Sequence, residues 1–185
     1  MLEDSLREKA EQYIINAECL FGPRMETWSF CGVEISDNKP ALIYFPEHGT
    51  VAINLSTKVI GNEIQEIFQL SHEACHLLYP GMDRCTFEKP QTSTLNEGLS
   101  TYFSILMLEA ANIDIEPVLY NLQTHYPPYF EALKLVTNLL KINPDIVKEV
   151  RTIEPQIDLL RQSHLVRYTS NLPENLLNNL LLPFS

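Results

Sequence analysis

The sequence predicts a single α+β domain: an N-terminal helix and a small sheet packed on two central helices, with a helical C-terminal portion. Three observations lead to it. Apolar residues recur at helical spacing near the N-terminus, three short runs of β-formers follow, and helical periodicity then returns and continues, broken by prolines, to the end. The 185 residues, 45% of them hydrophobic, suffice for one core and leave little room for two. The expected organisation of 1–185 is helix plus sheet over 1–58, the central helices over 59–111, and the C-terminal portion over 112–185.

Leu2, Leu6, Tyr13, Ile14, Ala17 and Leu20 share a helical face, and Gly22-Pro23 stops that helix. Strands are expected at Trp28 to Ile35, Ala41 to Phe45 and Thr50 to Leu55. The turn-forming stretches Ser36 to Pro40 and Pro46 to Gly49 separate them, which reads as a three-stranded meander. Helical periodicity runs from about Gly61 to Leu78, where Pro80-Gly81 ends it. After a loop of about a dozen residues a second helix spans about Thr94 to Ala111. Beyond Asn112, prolines at 117, 127, 128, 144, 155 and 173 cut the chain into short helices, and Asn171 to Leu182 is amphipathic enough to form the last.

Composition narrows the partners. A formal net charge of -11 repels phosphate backbones, so nucleic acid is not expected as a partner. The acidic field favours basic peptides, although solubility accounts for the larger share of it. No apolar run reaches 18 residues, so no membrane span is expected. The acidic, polar start at Met1-Leu2-Glu3-Asp4-Ser5 does not read as a secretory signal. Cys19, Cys31, Cys75 and Cys85 form neither a CxxC pair nor a disulfide framework, which suits reduced thiols in a cytoplasm.

The chemistry concentrates in His72-Glu73-Ala74-Cys75-His76. At about 100° per residue, Gln65, Glu66, Gln69, His72, Glu73 and His76 fall within roughly one third of the helical circle. The rest is almost wholly apolar, with Ser71 the exception. A surface helix shows the reverse pattern, so this one is expected to be buried on most sides with its polar stripe facing a cleft. Two histidines at i and i+4 can reach one ion, while Glu73, beside them but angled away, is placed to act as a base. HExxH is short and also arises by chance, but histidines and a carboxylate on the one polar stripe of a buried helix need partners, and a metal supplies them. Cys75 falls on the apolar side and reads as a buried thiol.

A catalytic zinc site has three protein ligands and an open position. Glu97, in Asn96-Glu97-Gly98 near the start of the second helix, comes 21 positions after His76. A second helix returning antiparallel to the first could present it to the histidines.

Over Ile64 to Leu108 the sequence resembles the gluzincin metallopeptidases, which carry HExxH and then a glutamate on a following helix about twenty residues on. His72, Glu73, His76 and Glu97 match that pattern, and Asn96-Glu97-Gly98 with Tyr102 looks most like the aminopeptidase branch. The resemblance implies a zincin-like fold and one Zn2+ ion held by His72, His76 and Glu97. It also implies hydrolysis of a peptide or protein substrate with Glu73 as general base. In such enzymes the edge strand of the sheet lies over the cleft and pairs with extended substrate; here the candidate is Thr50 to Leu55, with Val51, Ile53 and Leu55 facing the core and Ala52 and Asn54 facing out.

The chain departs from the family in two places. Thr101 stands where the thermolysin branch has an acid supporting a zinc histidine, leaving the partner of that histidine unassigned. No amine-binding Gly-x-Met-Glu-Asn segment occurs at the family spacing, so aminopeptidase specificity is not expected. The donor for a developing oxyanion stays open among His164, Tyr168 (with Arg167 on the same face), His125 and Tyr126. Oligomeric state is also open. The competing reading is a zincin-like module that binds, or narrowly cleaves, one regulatory protein partner.

Overall fold

A computed structural model describes residues 2–88, 90–168 and 172–185. The architecture is α+β, with eight α-helices and one three-stranded sheet among the described residues. Helix α1 (Leu2–Phe21) buries Leu6, Ala10, Ile14, Ala17 and Phe21, one stripe at i, i+4, i+8, i+11 and i+15. Leu2 and Leu20, at its two ends, stay exposed. Gly22 takes a left-handed φ of 91° and returns its N–H to Glu18 O at 2.9 Å, closing the helix.

The sheet departs from a meander. Strands β1 (Ser29–Ser36), β2 (Ala41–Phe45) and β3 (Thr50–Ser56) lie in the order β1-β3-β2, with β3 parallel to β1 and antiparallel to β2. Strand directions are the same in either order, so alternation of apolar residues does not distinguish them. Burial does: β3 is the strand able to lose water on both faces, and it takes the centre. Ala52 and Asn54, expected to face outward, are therefore buried. The Asn54 amide is satisfied inside the sheet, accepting from Ser36 Oγ at 2.8 Å and donating to Lys39 O at 3.0 Å. The edge strand on the cleft side is β2 rather than β3.

Helix α2 (Glu63–His76) is capped by Asn62, whose side chain accepts from Gln65 N, and α3 (Thr94–Ala110) by Ser93, which accepts from Asn96 N. The two helices run antiparallel: Ser104 Oγ donates to Phe68 O at one end, while Asn96 meets His76 at the other. Helices α4 (Glu116–His125), α5 (Pro127–Ile142), α6 (Ile146–Arg151), α7 (Gln162–Leu165) and α8 (Glu174–Leu181) complete the chain. The last matches the expected terminal helix, although Asn171 lies outside the described residues. No helix among the described residues is long and apolar enough to cross a membrane.

One buried cation ties these layers together. Arg151, at the end of α6, donates from its guanidinium to the carbonyls of Phe21, Gly22, Pro23, Leu78 and Pro155 and lies over the Tyr79 ring, 5.2 Å from its centroid. The ends of α1, α2 and α6 therefore meet on a single side chain whose donors are fully used. Burial draws its pKa below the ordinary arginine value.

Candidate metal centre

The polar stripe of α2 divides in two. Toward its N-terminus the stripe is structural: Gln69 Oε1 accepts from Ser56 N and Oγ, both at 3.0 Å, Gln69 Nε2 donates to Gln65, and Glu66 pairs with Lys9. Only the last turn, carrying His72, Glu73 and His76, lines the cleft. The opposite walls come from Glu97 and Asn96 on α3, Tyr129 on α5, Asp158, and residues Pro40 to Leu42 and Tyr44 at the β2 edge.

Glu97 reaches both histidines. Its Oε2 lies 3.2 Å from His72 Nε2 and 3.7 Å from His76 Nε2, and one donor atom from each of the three residues falls within 4.8 Å of the others. Two ligands bound at ~2.1 Å to a tetrahedral zinc lie about 3.4 Å apart, a value these distances bracket. Two imidazole nitrogens and one carboxylate oxygen are also the donor set of hydrolytic zinc sites. The residues thus fit the metal in type and in spacing.

The protonation states reflect this crowding. Burial would lower the His76 pKa, but the Glu97 carboxylate, aided by Glu73 and Asn96, lifts it to about 9 in the metal-free protein. Burial would raise the Glu97 carboxyl, yet the charge on His76 and the hydrogen bonds of both histidines hold it well below the usual carboxylate range. A protonated His76 facing the Glu97 carboxylate forms a buried ion pair, and a divalent cation bound there would take the place of that proton.

The two histidines are held differently. The His72 ring lies between aromatic neighbours, Phe68 at 6.1 Å and Tyr129 at 6.0 Å between centroids, and its buried Nδ1 has no hydrogen-bond partner among the described residues. His76 Nδ1 faces Asn96 Oδ1 at 2.8 Å and Ser100 Oγ at 3.2 Å. Asn96 thus supports His76 alone, while Thr101 Oγ1 donates to Glu97 O within its own helix.

Gly98 of the Asn-Glu-Gly segment has a packing role. A Cβ there would come 2.6 Å from both Ala132 O and Val136 Cγ2, so its lack of a side chain lets α5 lie against α3 beside the glutamate. Cys75 is fully buried as expected. Burial pushes its thiol up to about 11, with Tyr79 Oη 3.3 Å away.

The candidates for an oxyanion donor do not line the cleft. His164 Nδ1 accepts from Arg161 N at the start of α7, Tyr168 Oη pairs with Thr152 Oγ1 at 3.3 Å, and His125 is exposed at the end of α4. Tyr126 does not line the cleft; its ring packs edge-on against Tyr129, their centroids 6.5 Å apart. Three tyrosines line the cleft, Tyr44, Tyr79 and Tyr129, and of these Tyr129 packs against the His72 ring, with Phe184 also against it. Burial, with the Glu97 and Glu73 charges adding to it, pushes its phenol up to about 12. Nothing local distinguishes Tyr129 from the half-buried Phe130 beside it on α5. Asp158 was missed because it sits 62 positions from its partner Asn96.

No protein-family model matches the chain, and neither do any of the curated proteins or solved structures with which it was compared.

Proposed function

We propose that this protein is a zinc-dependent peptidase of the gluzincin type, with a zincin-like fold and a reducing, cytoplasmic setting suited to its free cysteines. The observation that carries the reading is the convergence of His72, His76 and Glu97 from two helices, with Glu73 lining the same cleft.

His72, His76 and Glu97 would hold the metal. When bound, zinc would polarise the scissile carbonyl and lower the pKa of a water to about 7. Glu73, buried one residue after His72 on the same turn, takes the proton of the attacking water and delivers it to the leaving amine. Tyr129, its phenol still protonated at neutral pH, donates to the developing oxyanion. Strand β2 is bonded to β3 along one edge and bounds the cleft through Ala41, Leu42 and Tyr44, so an extended substrate backbone can pair with the other.

Metal analysis and peptide digestion together test the proposal. Purified protein should carry one zinc per chain and cleave members of a peptide library, and Glu73→Gln should keep the zinc while losing cleavage. Undiminished cleavage by Glu73→Gln would falsify the mechanism. Full zinc occupancy with no turnover of any peptide would leave a module that binds its partner without cutting it.

A further inference from the structure

Asp158 lies in the short 3-10 turn Ile157–Leu159, yet its carboxylate ends at the head of α3. Oδ1 accepts from Ser93 N at 2.8 Å and from Ser93 Oγ at 2.9 Å, while Oδ2 accepts from Asn96 Nδ2 at 2.7 Å. An ionised carboxylate only accepts, so the Asn96 atom facing it must be the amide nitrogen. The amide oxygen then faces His76 Nδ1 at 2.8 Å. That oxygen also only accepts, so Nδ1 must carry a hydrogen, and in the neutral imidazole this leaves the Nε2 lone pair directed toward Glu97 and His72.

We propose that Asp158 is a positioning residue for the metal centre. It sets the polarity of the Asn96 amide and, through it, the tautomer and ring orientation in which His76 offers Nε2 to a metal. The inference rests on the zinc reading above. Without the carboxylate, the Asn96 amide can rotate by half a turn and present its NH2 group to Nδ1, which favours the tautomer with its hydrogen on Nε2 and removes the ligand lone pair. His72, whose Nδ1 has no hydrogen-bond partner among the described residues, is the internal contrast.

The test is zinc affinity, by chelator competition on the full chain. Asp158→Asn preserves shape, but in either amide orientation it loses a bond to Ser93 or to Asn96. Its zinc Kd should rise about 10–100-fold, the usual effect of losing such outer support. The zinc-loaded variant should also lose the downfield, hydrogen-bonded His76 Nδ1–H signal in 15N-edited NMR. Ser93→Ala separates helix capping from polarity: it should lower the thermal midpoint while leaving the zinc Kd within about twofold. The swap Asn96→Asp with Asp158→Asn can rebuild every bond, with donor and acceptor exchanged only between positions 96 and 158, and it still turns an accepting oxygen toward His76 Nδ1, so it should recover zinc affinity that each single change loses.

Wild-type affinity in a folded Asp158→Asn overturns the inference. So does a swap that fails to recover affinity, because packing would then carry the effect. If Asp158→Asn does not fold, the swap and Asn96→Asp alone still decide the question. A wild-type protein that binds no zinc would overturn the proposed function as well, whereas equal zinc binding by wild type and Asp158→Asn overturns this inference alone.

Discussion

Glu97 Oε2 lies 3.2 Å from His72 Nε2 across 25 positions of chain, and the same oxygen is 3.7 Å from His76 Nε2. One carboxylate thus completes a site whose other members share a helical turn. Glu97→Gln replaces one oxygen with a donor nitrogen and removes the negative charge. It should weaken zinc binding by at least 100-fold, read by chelator competition, and should abolish the rise in thermal midpoint that added zinc gives the wild type.

Zinc binding should depend on pH in a defined direction. The folded His76 pKa, about 9, lies above its ordinary 6.5, so the stabilisation from its charged form is complete below about pH 6.5 and is lost as pH rises through about 9. Glu97 is shifted the other way, so its contribution is present above its ordinary 4.5 and is lost as pH falls through its depressed pKa. The metal-free pair therefore stabilises most between about pH 4.5 and 6.5. Zinc must displace the His76 proton, so its affinity should climb with pH up to about 9. Calorimetry at pH 7 in buffers of different ionisation enthalpy should register proton release. Affinity that stays level between pH 6 and 9 would contradict the assigned ion pair.

Tyr129→Phe removes one hydroxyl from the cleft and leaves the ring packed between His72 and Phe184. Peptide cleavage should fall by about 10²–10³ in kcat while zinc content stays unchanged. A loss of zinc in this variant would instead make the tyrosine a structural support of His72.

Arg151→Met deletes a buried charge together with its bonds to five backbone carbonyls and leaves those acceptors without their donor. Urea unfolding should show a loss of about 3–5 kcal/mol. A change below about 1 kcal/mol would mean that the ends of α1, α2 and α6 are held by apolar packing.

Gly98→Ala introduces a methyl where α5 leaves no room. Overpacking should cost about 1–3 kcal/mol in unfolding free energy. Because Glu97 is the preceding residue, zinc affinity should fall with it. Full stability in this variant would show that α3 and α5 can separate freely.

The sequence by itself determined the two central helices and their donors. Helical periodicity is a local property, and i to i+4 spacing places His72 and His76 together whatever surrounds them. It also marked α2 as a helix buried on most sides, because apolar residues fill most of its circumference. The expectation that Glu97 would return to meet the histidines depended on a loop length and on antiparallel packing, and α3 does run that way.

Only the tertiary structure decided the rest. The order β1-β3-β2 follows from which strand can be buried on both faces, a comparison among strands that no single strand encodes. The assignment of the cleft edge to β2 follows from that order. Tyr129 and Asp158 reach the cleft through packing across long stretches of chain, and their sequence neighbourhoods carry no mark of it. Gly98 owes its identity to the backbone of α5. Helix-forming preferences act over a few residues and can be read along the chain. Hydrogen bonds and close contacts between distant segments form only when the core closes, and the environment of His76 belongs to that second kind.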